Sequence, residues 1–181
     1  KYYNTVHKNS NYKHKKNYLL FLKSSLFFSQ DSFNVSIHHD TKLLLFGDDR
    51  GNHAGTINLL AKVEIPIVKF ANSYVIAYPA FEYAALHYAP LRRYFVGVGY
   101  VQKDVFFSNL NFSIKTNYGF INRMQNTTGS FGFSIEAFYR ISRRFSLSYL
   151  HQIVQRTDFK TLYNINPEMK NSSFLGMKIH F

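Results

Sequence analysis

The sequence predicts an all-β fold, an eight-stranded antiparallel transmembrane β-barrel with an up-and-down meander. Three observations carry that expectation. Between Ser108 and Asn122 the even positions Leu110, Phe112, Ile114, Thr116, Tyr118 and Phe120 alternate with Asn109, Asn111, Ser113, Lys115, Asn117 and Gly119. A period of two over so many residues makes a long strand with one apolar and one polar face, because successive side chains point to opposite sides. The pattern recurs seven more times, in segments longer than the roughly 5–6 residues usual for strands of soluble domains. Finally, the chain ends Leu175-Gly176-Met177-Lys178-Ile179-His180-Phe181, apolar at every second position up to a terminal phenylalanine.

The first strand sets Phe33, Val35, Ile37, Leu43 and Leu45 against Asn34, Ser36, His38, Asp40 and Lys42, and is expected to run through all of them. In the second, Ile57, Leu59, Ala61, Val63, Ile65 and Ile67 oppose Thr56, Asn58, Lys62 and Glu64. The third, about residues 74–87, is apolar on both faces, so the pattern leaves its register open. The fourth sets Tyr94, Val96, Val98 and Tyr100 against Gly97 and Gly99, small residues that relieve crowding inside a narrow barrel. Residues 108–122 are the fifth. The sixth places Phe131, Phe133, Ile135, Ala137, Tyr139 and Ile141 against Ser130, Gly132, Ser134, Glu136 and Arg140. Phe145, Leu147, Tyr149 and Ile153 mark the seventh, and Leu175, Met177, Ile179 and Phe181 the eighth.

An even strand number fits single-chain barrels of bacterial outer membranes, which alternate short periplasmic turns with longer external loops. Counted back from a periplasmic C terminus, the connection at 156–172 is external and long, and Ser142-Arg143 is a tight periplasmic turn. Residues 123–129, 88–93 and 47–54 then fall outside, with 103–107 and 68–73 inside.

Composition fits one domain of this kind. The 181 residues include 19 Phe and 14 Tyr, a load suited to aromatic girdles at a membrane interface, and no Cys, which excludes disulfides and thiolate metal sites. No run of about 20 apolar residues supplies a spanning helix. The formal charge of +12 is uneven: six of the 22 cations fall at or before Lys23, ahead of the first acid. The other 16 are scattered among 10 acids with no compact basic helix, so anionic lipid or lipopolysaccharide is expected as counter-charge and nucleic acid is not. Residues 1–32 are therefore expected to be a basic periplasmic extension and 33–181 the barrel. Tyr18–Phe28 has the character of an export-signal core interrupted by Lys23, and a removed signal is expected ahead of Lys1.

With the apolar face towards lipid, Asp40, Lys42, Lys62, Glu64, Lys115, Glu136, Arg140, Lys178 and His180 point into the lumen. Eight strands enclose just enough room for side chains, so these residues should pair in a buried polar network. A narrow conduit is the sharper alternative. A soluble β-sandwich or lipocalin-like carrier, with the apolar face inside, is a further one.

His151 shares the parity of Leu147 and Tyr149 and so points outward near the end of its strand. Such a histidine is costly unless it lies near the headgroups or has a partner. The stretch continues His151-Gln152-Ile153-Val154, then Asn166-Pro167-Glu168, then the last strand. This arrangement resembles the lipid A deacylases of the PagL (acyloxyacyl hydrolase-like) family, small eight-stranded barrels with a membrane-facing His, Ser and acid near the end of the penultimate strand. The resemblance covers about the last 50 residues. It implies His151 as a catalytic candidate, with Glu168 as the acid only if the loop shifts. The family's His-x-Ser-Asn departs here to Ile153 and Val154, which leaves no nucleophilic oxygen in the serine slot.

His38-His39-Asp40 directs only two ligands to one face, too few for a metal. Asp48-Asp49-Arg50-Gly51-Asn52 reads as an external turn rather than a calcium loop, and no cofactor is expected. The expected function is a non-catalytic barrel, an accessory or structural subunit of an outer-membrane assembly for protein insertion, secretion or uptake. The alternative is a deacylase-like hydrolase. Leu175, Met177, Ile179 and Phe181 resemble the C-terminal signal read by the barrel assembly machinery. Expected partners are that machinery, outer-membrane lipid and lipopolysaccharide, and other outer-membrane proteins.

Overall fold

The computed structural model describes residues 33–164 and 166–181; the basic extension expected at 1–32 lies outside the described residues. Eight strands follow in order: β1 (Asn34–Asp40), β2 (Asn58–Lys69), β3 (Ser73–Ala84), β4 (Leu91–Gln102), β5 (Leu110–Arg123), β6 (Asn126–Arg140), β7 (Phe145–Arg156) and β8 (Glu168–His180). Two short helices, α1 (Thr41–Leu45) and α2 (Asp158–Tyr163), lie in the connections before β2 and β8. Each strand pairs antiparallel with the next, and β1 pairs with β8 to close the barrel. Closure removes every open sheet edge.

One end, here the terminal end, carries Phe33, Phe181 and the turns at 70–72, 103–109 and 141–144. The distal end carries the connections at 41–57, 85–90, 124–125 and 157–167.

The wall is inverted relative to a soluble protein. Asn111, Ser113, Lys115 and Asn117 of β5 are buried, whereas Ile114, Tyr118 and Phe120 are 54%, 56% and 52% exposed. The same parity holds in β2, where Asn58, Lys62 and Glu64 are inside and Leu59, Val63 and Ile65 outside. The lipocalin-like alternative required the opposite facing and is overturned.

The lumen is only partly polar. Tyr74, Ile76 and Tyr78 point inward from β3 and pack with Leu60, Phe95, Val101, Phe138, Leu150 and Phe174. That fixes the register the sequence left open: Val75, Ala77, Pro79, Phe81 and Tyr83 take the outer face. A Cβ at Gly97 would stand 2.5 Å from the Tyr78 ring, so glycine here makes room for an inner aromatic.

Three sequence expectations are corrected. The first strand stops at Asp40, because its carboxylate caps α1 by accepting from the Leu43 N–H at 3.0 Å. Leu43 is buried beneath that helix and Leu45 exposed, so neither extends the strand face. The loop expected at 123–129 is a two-residue turn at Met124 and Gln125, both with positive φ (49° and 63°), and residues 126–129 belong to β6. The long connection ends earlier than 172, because β8 begins at Glu168, paired with Arg156.

Candidate functional site

The interior is organised around one ion cluster. Glu64 and Glu136 each bind several ammonium groups: Lys115 Nζ donates to Glu64 Oε1 at 2.6 Å and also to Glu136 Oε2. Lys178 Nζ donates to Glu64 Oε2 at 2.8 Å and lies 3.1 Å from Glu136 Oε1. Lys62 Nζ donates to Glu136 Oε2 at 2.8 Å. Ser148 donates to Glu136 Oε1 at 2.5 Å, and His38 Nε2 sits 2.9 Å from the Ser148 hydroxyl. Strands β1, β2, β5, β6, β7 and β8 thus all tie to one knot, whose charged side chains are at most 1% exposed. Three ammonium groups against two carboxylates leave an excess of one positive charge. Lys178 also rests 3.9 Å from the Phe138 ring centroid, a cation–π contact that offsets some of that excess.

Of the residues expected in the lumen, Lys62, Glu64, Lys115, Glu136 and Lys178 converge here. Asp40 does not, since it caps α1 at the distal mouth and accepts from Asn58 Nδ2 at 3.2 Å. Lys42 is exposed on α1, outside the lumen, because the strand that would have turned it inward has ended. Arg140 is the last residue of β6 and is exposed at the terminal end. His180 lies half-buried at that end, 2.7 Å from Ser146 Oγ and 2.8 Å from Asn34 Oδ1.

A second buried layer has residues that sequence reasoning missed. Arg93 Nη2 donates to Asn117 Oδ1 at 2.5 Å, its Nη1 lies 3.6 Å from Glu82 Oε2, and the guanidinium stacks 4.1 Å over Phe95. Gln152 donates to the same Glu82 oxygen at 3.2 Å. The gap beside Glu82, Arg93 and Gln152 has about 20 Å³, room for a single water. Arg93 shares parity with Gly97 and Gly99, and that signal could have placed it inside. Glu82 had none, because β3 is apolar on both faces.

At the distal mouth Asp158 caps the barrel. Arg156 grips it with two parallel bonds, Nε to Oδ1 at 2.8 Å and Nη2 to Oδ2 at 2.7 Å, and Arg123 Nη1 adds a third at 3.4 Å. Burial alone would raise the Asp158 carboxyl, but the hydrogen bonds and charge of Arg156, helped by Arg123, bring it below the ordinary carboxylate value. The next residue, Phe159, is buried with the guanidinium of Arg50 4.0 Å and that of Arg156 4.4 Å from its centroid.

The outer wall holds one polar group of chemical interest. His151 faces outward from β7, with Nδ1 3.0 Å from the hydroxyl of Ser173, its cross-strand neighbour on β8. The Tyr149 hydroxyl donates to the same Ser173 oxygen at 3.1 Å. Sequence reading sought a serine only along β7 and so missed one opposite. Glu168 is not part of this group: five register steps separate it from Ser173, about 17 Å along the strand. It is half-buried and pairs with Lys170 at 3.0 Å and Arg50 at 3.5 Å. Among the described residues no His, Asp or Glu cluster is fit to hold a metal.

At the other end of β8, Leu175, Met177 and Phe181 are exposed on the outer face, and the Phe181 ring stacks on Phe33 at 4.8 Å.

No protein-family model matches the chain, and no curated protein matches it in sequence. Among solved structures, the barrel is similar to the Yersinia pestis outer membrane protein Ail in a phospholipid nanodisc, with a TM-score of 0.51. Identity is 12% over 84% of this chain and 100% of that one. The crystal structure of Neisserial surface protein A gives 0.48 at 9% identity, over 84% of this chain and 98% of that one. A de novo designed transmembrane β-barrel gives 0.46 at 12% identity, over 83% and 95%. The fold is that of small outer-membrane β-barrels.

Proposed function

We propose that the chain is a non-catalytic β-barrel of a bacterial outer membrane, an accessory or structural subunit of a larger assembly for protein insertion, secretion or uptake. The observation that supports this best is the lumen itself. The Glu64 and Glu136 cluster occupies the centre of the barrel and argues against a conduit, which turns attention to its outer wall and two rims. In this reading the wall is surrounded by outer-membrane lipid and lipopolysaccharide. The barrel assembly machinery reads Leu175, Met177, Ile179 and Phe181, and the terminal end, with its tight turns at 70–72 and 141–144, faces the periplasm. Purification from native membranes in mild detergent, followed by identification of what co-purifies, tests it. A stoichiometric outer-membrane partner is expected, and a barrel that consistently emerges alone would contradict the role.

A second reading, the lipid A deacylase-like hydrolase, is favoured by the Ser173 and His151 pair. The Ser173 hydroxyl would attack an acyl ester in the adjoining leaflet while His151 takes its proton and returns it to the leaving alkoxide; water then releases the acid. The pair has no carboxylate from Glu168 to orient the imidazole, which is why this reading is second. Mass spectrometry of lipid A from cells carrying the natural gene, Ser173→Ala or no gene separates the two. Identical acylation in all three would remove the enzyme.

A further inference from the structure

The two ends of the barrel differ in how their charges are matched. At the distal end Arg50, Arg93, Arg123, Arg156 and Lys170 each lie within 4 Å of a carboxylate, drawn from Glu82, Asp158 and Glu168; among the described residues Lys42, Arg92 and Lys160 do not, but they share that end with Asp48 and Asp49. At the terminal end Lys103, Arg140, Arg143 and Arg144 line one cavity of about 780 Å³, and among the described residues no Asp or Glu lines it with them. Among the described residues none of Lys103, Arg140, Arg143 and Arg144 is in an ion pair with a carboxylate. The one acid in the neighbouring loop, Asp104, turns its carboxylate to the Asn109 N–H at 2.8 Å.

The same end carries the aromatic side chains of a membrane boundary. Phe33 and Phe181 stack at 4.8 Å, Phe107 lies 6.4 Å from Tyr139, and Phe106 lies 6.3 Å from Phe112. Phe106 is 89% exposed and holds a left-handed backbone, φ 66°, which is costly for a bulky residue. A strained loop that keeps a phenylalanine out in solvent is explained if the ring is embedded in acyl chain. The cations then lie at the height of the headgroups. Arg144 is tied to the last strand by its carbonyl, which accepts from His180 N–H at 2.9 Å, and Arg140 is tied to the 103–109 loop through Asn109 O at 2.9 Å. The backbone that carries these charges is therefore tied to the barrel.

We propose that this rim binds the phosphates of anionic glycerophospholipids in the leaflet it faces. Guanidinium groups suit the task because each presents several N–H donors to phosphate oxygens. The inference rests on the reading that the chain spans a membrane, and it adds the lipid class that one rim recruits.

The full chain, reconstituted in phosphatidylcholine nanodiscs, would be probed with spin-labelled phosphatidylglycerol and phosphatidylcholine. An inserted barrel immobilises both lipids, so absence of any immobilised lipid defeats the membrane reading, whereas immobilisation without preference defeats only the rim. We expect phosphatidylglycerol to be favoured roughly fivefold or more, the effect of one or two cations near an anionic headgroup. The combined variant Lys103→Gln, Arg140→Gln, Arg143→Gln, Arg144→Gln should lose that preference while still immobilising phosphatidylcholine. Lys42→Gln with Lys160→Gln, at the distal end, should leave it intact. Equal association of the two lipids, a preference that survives the rim variant, or abolition by free inorganic phosphate would overturn the proposal. So would capture of a soluble acidic peptide by the rim in place of any lipid preference.

Discussion

Glu136 is the residue on which the interior turns. It faces Lys62, Lys115 and Lys178, and takes the Ser148 hydroxyl as well. Replacing one partner of a buried ion network leaves the others uncompensated, at a cost of about 3–5 kcal/mol. Glu136→Gln should lower stability by that order in urea titrations of the lipid-reconstituted barrel, and Glu136→Gln with Lys62→Met should recover part of it. Asp158 gives a pH dependence with a definite sign. Its folded value is depressed, so the stabilisation from Arg156 and Arg123 is present above the unfolded carboxylate value and is lost as pH falls through the folded one. Protection of the 157–164 amides, taken relative to their intrinsic exchange rates, should therefore fall only below the ordinary carboxylate range, and in Asp158→Asn it should be low at all pH values. These residues also show what a sequence can carry. Lys62, Glu64, Lys115, Glu136 and Lys178 were legible because parity alone turns a charged side chain inward. Their convergence on one knot was not, because it depends on strand register around a closed barrel. Ser173 was missed for the same reason, since its partner lies on another strand.

At the scale of elements, alternation was faithful wherever a strand was unbroken and failed at the ends. Asp40 turned β1 into α1, because a carboxylate ahead of a leucine run caps a helix as readily as it ends a strand face. The third strand resisted reading because Tyr74, Ile76 and Tyr78 fill an apolar part of the lumen while Phe81 and Tyr83 face outward. The β5–β6 turn is a place where the sequence works against its own backbone. Met124 and Gln125 both hold positive φ, a conformation that Asn-Gly adopts far more readily. Met124→Asn with Gln125→Gly should stabilise the barrel by about 1 kcal/mol, read as a rise in the urea midpoint without a change in slope. A fall in the midpoint would show that the turn is held by contacts the replacement removes.

For the molecule as a whole, closure and facing follow from one physical choice. Eight strands enclose only enough space for their own side chains, so the polar face must pair with itself or stay open to water. Here the charges at the centre are tied into one cluster, and an aromatic and aliphatic cluster and the Arg93 and Glu82 layer pack beside it. Liposomes containing the purified protein should accordingly pass no small solute above background, and steady flux would mean that the cluster opens. The chain has no cysteine, so single cysteines can be placed without background along β5. Spin labels there, in the lipid-reconstituted barrel, test the inverted wall most directly. Labels at Phe112, Ile114, Tyr118 and Phe120 should be relaxed by lipid-dissolved oxygen and shielded from a water-soluble nickel complex, while labels at Ser113 and Asn117 should be shielded from both. Reversed or absent alternation along those positions would contradict the account.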